Sequence, residues 1–226
     1  MLASPNTGNV VDVKVVPYDV RQVPNVDATQ EYSPYNLKNI IANCETVKET
    51  IVVYVRGEHG TTSVVPERIL DTNITAAWFY AVDCLAVGLN EPAVLLASIS
   101  VESVLNHDIR LEHLRKTEPY EWIDLHWKNL KCAYENGLPV DLLLNKGEEF
   151  RKGCRIEFVE RRNKMAHGDY EGYGNLYPAS FNKGEFSEEF DLGHNRPPKE
   201  HALDQIEKSK RFIISWARQN PRIRIH

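Results

Sequence analysis

Between Glu91 and Leu114 apolar residues recur on almost every side of a helical wheel: Val94, Leu95, Leu96, Ile99, Val101, Val104, Leu105 and Ile109. A helix without a clear polar face is a central one, so the chain must build a shell around this segment. The neighbouring sequence supplies it. Ile74, Ala77, Trp78, Ala81 and Leu85 follow helical spacing, Pro66 suits the first turn of that helix, and Gly88 and Asn90 end it. Pro92 then opens the central segment. A further helix is expected over about Tyr120 to Tyr134, stopping at Asn136-Gly137. The next runs from about Asp141 or Lys152 to His167, with a break near Gly147 or Gly153, and the last covers about Lys199 to Gln219. Short connections between such pieces favour a helical bundle.

The first third reads differently. Val11, Val13 and Val15 alternate with Asp12 and Lys14, the two-residue period of a short strand. From Asn36 to about Thr50, Leu37, Ile40, Ile41, Cys44 and Val47 have helical spacing. The β-branched run Ile51 to Val55 reads as a strand leading into a turn, or as the end of that helix. The expected organisation is a mixed α/β N-terminal appendage over residues 1–65 and a mainly α bundle over residues 66–226. One long connection, residues 170–198, is rich in Gly, Pro, Asn and aromatics, and Asn182-Lys183-Gly184 would suit a hairpin turn inside it.

Composition narrows the function. A formal net charge of -5 excludes a broadly basic nucleic-acid binder, so any RNA contact must come from a local patch. The four cysteines lie far apart without a C-x-x-C pair, which argues against a zinc knuckle or a disulfide framework. His107, His113 and His126 lack helical metal-ligand spacing. No P-loop, dinucleotide fingerprint or nucleophile elbow is present, so no metal and no cofactor is expected. No apolar run is long enough to span a bilayer, and the start MLASPNTGNVVDVK lacks the pattern of a secretory signal. A cytoplasmic protein without a membrane partner is expected.

The most informative segment runs from Arg155 to Gly168. On a wheel at roughly 100° per residue, Glu157, Glu160, Arg161 and Lys164 share one arc, which reads as a solvated face. Phe158, Val159, Met165 and Ala166 take the opposite arc. Arg162 falls in the middle of that apolar arc, and Arg155 stacks on the same line. A guanidinium among apolar neighbours requires a partner or an interface. Gly168 suits the position just past a helix end, leaving His167 in the last turn, where the helix terminus favours an imidazolium. Five residues separate Arg162 from His167, so on a regular helix the two diverge by about 140°. Serving one substrate therefore calls for a cleft at the helix end or between subunits.

Arg162-Asn163, followed by His167 and Gly168 near the end of a late bundle helix, resembles the arginine–polar–histidine signature of the HEPN superfamily. The resemblance covers about Pro66 to the C-terminus. It implies a HEPN-like helical bundle that forms a homodimer, with RNA as partner. It also implies a metal-independent endoribonuclease of the kind found in toxin–antitoxin, phage-defence and RNA-processing systems, with a cognate antitoxin or regulatory protein as a second partner. Arg162 and His167 are then catalytic and Asn163 supports them. The chemistry fits these residue types, because histidine moves protons near neutrality and arginine forks onto phosphate oxygens.

By the same resemblance Glu102, a lone carboxylate on the apolar central helix, holds Arg162 or Arg155; the alternative is a carboxylate reaching water at the bundle edge. Arg155 and Tyr170 are candidate substrate-binding residues. Tyr170 stands three positions after His167, whereas one toxin branch of the family has its tyrosine two positions after the histidine. Two other readings stay open: a non-catalytic HEPN-like module binding RNA, a nucleotide or a protein, and a structural dimer in which Arg162 only pairs with Glu102.

Overall fold

The computed structural model describes residues 7–17, 49–58, 68–69, 73–115, 122–167 and 199–224. Five α-helices occupy most of these residues: α1 (Asn73–Ala86), α2 (Asn90–His107), α3 (Trp127–Glu135), α4 (Glu157–His167) and α5 (Lys199–Ala217). Four strands, β1 (Thr7–Pro17), β2 (Glu49–Glu58), β3 (Arg68–Ile69) and β4 (Arg222–Arg224), form a small antiparallel sheet in the order β3-β2-β1-β4. The protein is thus mainly helical with a small sheet.

α2 is the axis. Every residue from Ser100 to His107 is buried, and the helix packs against α1, α4 and α5. Small residues let α5 come close: Ser209 Oγ donates to Ala97 O at 2.9 Å, and Gln205 Nε2 donates to Ser98 Oγ at 2.8 Å. α1 buries Ile74, Ala77, Trp78, Ala81, Val82 and Leu85, the stripe its spacing predicts. It stops at Gly88, whose φ of 82° only glycine adopts without strain, with Gly88 N donating to Leu85 O and Leu89 N to Cys84 O.

The sheet covers the other side of this core. Ile51, Val53 and Val55 alternate inward along β2, and Val10 on β1 joins them. One extra residue at Val11 shifts the register between Val10 and Asp12. β4 pairs with the start of β1, Thr7 opposite Arg224 and Asn9 opposite Arg222, so the sheet joins residues on both sides of the boundary expected near residue 65.

Several expected boundaries move. The run Ile51 to Val55 is strand, and Glu49 and Thr50 belong to it rather than to a preceding helix. The central helix ends at His107, because Asp108 is extended and caps a short 3-10 turn over Ile109–Leu114. The helix expected from Tyr120 starts only at Trp127, since residues 122–126 form an irregular, bent segment tied to α2. Asn106 holds that run by donating to Ile123 O at 2.8 Å and accepting from Ile123 N at 2.9 Å. The helix expected from Asp141 or Lys152 is a 3-10 turn at Val140–Leu143 and α4, and the break expected near Gly147 or Gly153 falls at both, with φ of 89° and 83°. The last helix ends at Ala217, and Asn220 with φ of 50° turns the chain into β4. Pro66, the spacing at 36–48 and the 170–198 connection lie outside the described residues.

Candidate functional site

α4 is aimed by its first turn. Glu148 reaches back from the preceding loop, its Oε1 accepting from Glu157 N at 2.9 Å and its Oε2 from Asn145 N at 2.7 Å. This satisfies a donor that the helix start leaves without an internal partner. Phe158, Val159 and Met165 bury one side of the helix, and Arg162 lies between Phe158 and Met165 on that side by helical spacing.

Glu102 meets it from α2. Its side chain is only 3% exposed, and its Oε1 stands 2.9 Å from Arg162 Nε. The Arg162 N–H is not aimed along that line, so the contact is an attraction between charges rather than a linear hydrogen bond. The carboxylate takes its hydrogen bonds elsewhere, from Leu125 N at 3.2 Å and from Trp122 Nε1 at 3.3 Å. Burial pushes the Glu102 carboxyl above the ordinary carboxylate range; the Arg162 charge and the Leu125 and Trp122 donors pull it down, and burial prevails.

Arg162 keeps 21% of its side chain exposed, and its Nη1 donates to Asn163 Oδ1 at 3.2 Å. Among the described residues no acceptor bonds its Nη2. The guanidinium is therefore held at one edge and available at another, the geometry an anionic oxygen needs. His167 is the last residue of α4, five beyond Arg162; its side chain lies outside the described residues, as do Gly168 and Tyr170.

Two placements from the helical wheel change. Arg161, expected on the solvated arc, is the buried member of the pair: its side chain is 9% exposed and lies 2.5 Å from Glu157 Oε1 and 2.7 Å from Asp204 Oδ2 of α5. Ala166, expected on the apolar arc, is exposed. The side of α4 that carries Arg161 is thus partly covered by α5, and Arg161 lies along it with its terminal nitrogens paired. Arg155 precedes α4, is 78% exposed and pairs with Glu160 at 2.6 Å, so it shares no site with Glu102 or Arg162. Glu102 is not at a watery bundle edge but in the interior.

Trp122 and Asn106 are the residues that sequence reasoning passed over. Ser98, Glu102 and Asn106 recur every four residues, a polar line on an otherwise apolar helix, and that line was the available signal. Trp122 was hidden inside an expected helix. Among the described residues no group of three His, Cys, Asp or Glu could hold a metal ion, and no helix is long and apolar enough to cross a membrane. No protein-family model, curated protein or solved structure matches the chain.

Proposed function

We propose that this chain is a HEPN-type, metal-independent endoribonuclease that acts as a homodimer, in a toxin–antitoxin or phage-defence setting. The observation that carries the reading is Arg162: a guanidinium on the apolar side of α4, held against the buried Glu102, with Nη2 unbonded by any described residue. In this reading the 2′-oxygen of RNA bonds the adjacent phosphorus while the bond to the 5′-oxygen breaks. His167 takes the 2′ proton or delivers one to the departing 5′-oxygen, a step suited to a group titrating near neutrality. Arg162 forks onto the phosphate oxygens and offsets their growing charge. Asn163 steadies Arg162 through its side-chain oxygen, and Glu102 is a positioning residue.

The same contact supports a second reading, a non-catalytic HEPN-like module that binds RNA, a nucleotide or a protein partner, because Glu102 offsets part of the charge that catalysis would use. Purified protein incubated with mixed RNA in EDTA separates the two, beside Arg162→Ala and His167→Ala. Cleavage by the wild type that is lost in both variants supports the nuclease. Cleavage undiminished in both removes these roles, and RNA binding without cleavage selects the second reading.

A further inference from the structure

We propose that Trp122 is a nucleobase platform, which makes the ligand of this site a single-stranded RNA with an unpaired base beside the phosphate that Arg162 holds. The inference rests on the RNA reading above and adds the part of the nucleotide that Arg162 does not touch. Four large apolar side chains among the described residues are exposed: Val15, Tyr80, Trp122 and Tyr134. Trp122, 42% exposed, is the one whose polar atom is tied into the Arg162 site.

The connection is direct. Glu102 presents one oxygen to Arg162 Nε at 2.9 Å and the other to Trp122 Nε1 at 3.3 Å. The cation and the indole are thus separated by one carboxylate and two short contacts, a span that a single nucleotide covers between phosphate and base. The indole N–H is tied to Glu102, while the residue as a whole keeps 42% of its surface exposed. A ring held at its edge has already lost much of its freedom, and stacking a base on it orders little more. The backbone beneath is fixed as well, by the paired bonds of Asn106 to Ile123 and by Leu125 N on Glu102. Stacking on an aromatic face tolerates any base but requires that the base be free of a duplex. A local cation with an aromatic neighbour also suits a chain whose net charge of -5 gives no general attraction for RNA.

The test uses a single-stranded 2′-O-methyl oligonucleotide, which cannot be cleaved because the attacking hydroxyl is blocked, and an abasic strand of the same length. Binding of each is measured by fluorescence anisotropy for the wild type, Trp122→Ala and Trp122→Phe. Trp122→Ala is expected to weaken binding of the base-bearing strand roughly tenfold and to leave the abasic strand unchanged. Trp122→Phe keeps a ring but loses the tether, so it should bind more tightly than Trp122→Ala and more weakly than the wild type, and it guards against a loss that merely reflects a disturbed Glu102. The platform is overturned if Trp122→Ala binds the base-bearing strand like the wild type, if both strands weaken equally, or if Trp122→Phe falls as far as Trp122→Ala. A wild type that does not prefer the base-bearing strand overturns it too. Cleavage of mixed RNA in EDTA is read separately; cleavage that needs Arg162 alongside any of those outcomes removes Trp122 and leaves the nuclease standing.

Discussion

Arg161 and Arg162 are consecutive residues of α4 that face different partners: Arg161 bridges Glu157 and Asp204, while Arg162 lies against Glu102 on α2. The first is enclosed by carboxylates on two helices; the second keeps 21% of its side chain exposed. Adjacent side chains on a helix diverge by about 100°, so neighbouring arginines can serve separate purposes.

That division predicts a split between stability and function. Arg161→Met strips charged partners from Glu157 and Asp204 and should cost about 2 kcal/mol, the low range for buried pairs because both carboxylates remain partly hydrated. Urea midpoints of the variant measure this, and affinity for a non-cleavable RNA should stay near that of the wild type. A variant of unchanged stability would show that Arg161 is ornamental to the α4–α5 contact.

Glu102 predicts a pH dependence of definite sign. Its folded pKa is raised, so the folded state holds the proton more tightly than the unfolded chain does. Its contribution is most favourable below the ordinary carboxylate range and declines as pH rises towards the folded value. Glu102→Gln lacks that decline. The stability difference, variant minus wild type, should therefore increase as pH rises above the ordinary carboxylate range, as followed by urea midpoints.

His201 predicts the opposite slope. Burial depresses its pKa, and the Arg161 charge adds to the effect. On acidification the unfolded chain takes the imidazole proton first, so stability is lost as pH falls through the ordinary imidazole range towards the folded value. His201→Asn should remove that part of the loss. In Arg161→Met, an NMR titration should find the His201 value closer to ordinary. Asp204 is lowered: burial raises it, but hydrogen bonds from Arg161 and Lys208 outweigh burial, so its stabilising share persists until more acid conditions.

Asp108 predicts the largest single loss. Its side chain is fully buried; it accepts from Trp216 Nε1 at 2.7 Å and from Arg110 Nη2 at 2.7 Å and caps Arg110 N at 2.9 Å. Asp108→Ala leaves these donors without their acceptor and should cost about 3–5 kcal/mol by chemical denaturation. Trp216→Phe, which removes one bond and leaves a cavity at a fully buried position, should cost about 2–3 kcal/mol.

Much of the fold could be read from pattern alone. The apolar stripe of α1, the buried axis α2 and the strand over Ile51 to Val55 all follow from residue type and spacing. Arg162 stood out because its own helix surrounds it with Phe158 and Met165. Arg161 did not, since its burial depends on Asp204, forty-three residues later and on another helix. The start of α3 is set in a similar way: backbone bonds from Ile123 and Leu125 go to Asn106 and Glu102, and no local propensity encodes that. β4 is three residues long and exists through its pairing with β1.

The place of β1 in the sheet has a consequence for how the molecule is made. Its neighbours are β2, which follows within a few dozen residues, and β4, which begins at Arg222. A ribosome delivers the chain in order, so β1 can meet β2 before the five described helices are made and can meet β4 only after them. Loop closure over so long a contour is slow relative to the local coiling of helices. The β1–β4 pairing is therefore the longest-range contact in the sheet, and the hydrogen bond from Val10 N to Pro221 O extends it by one more link.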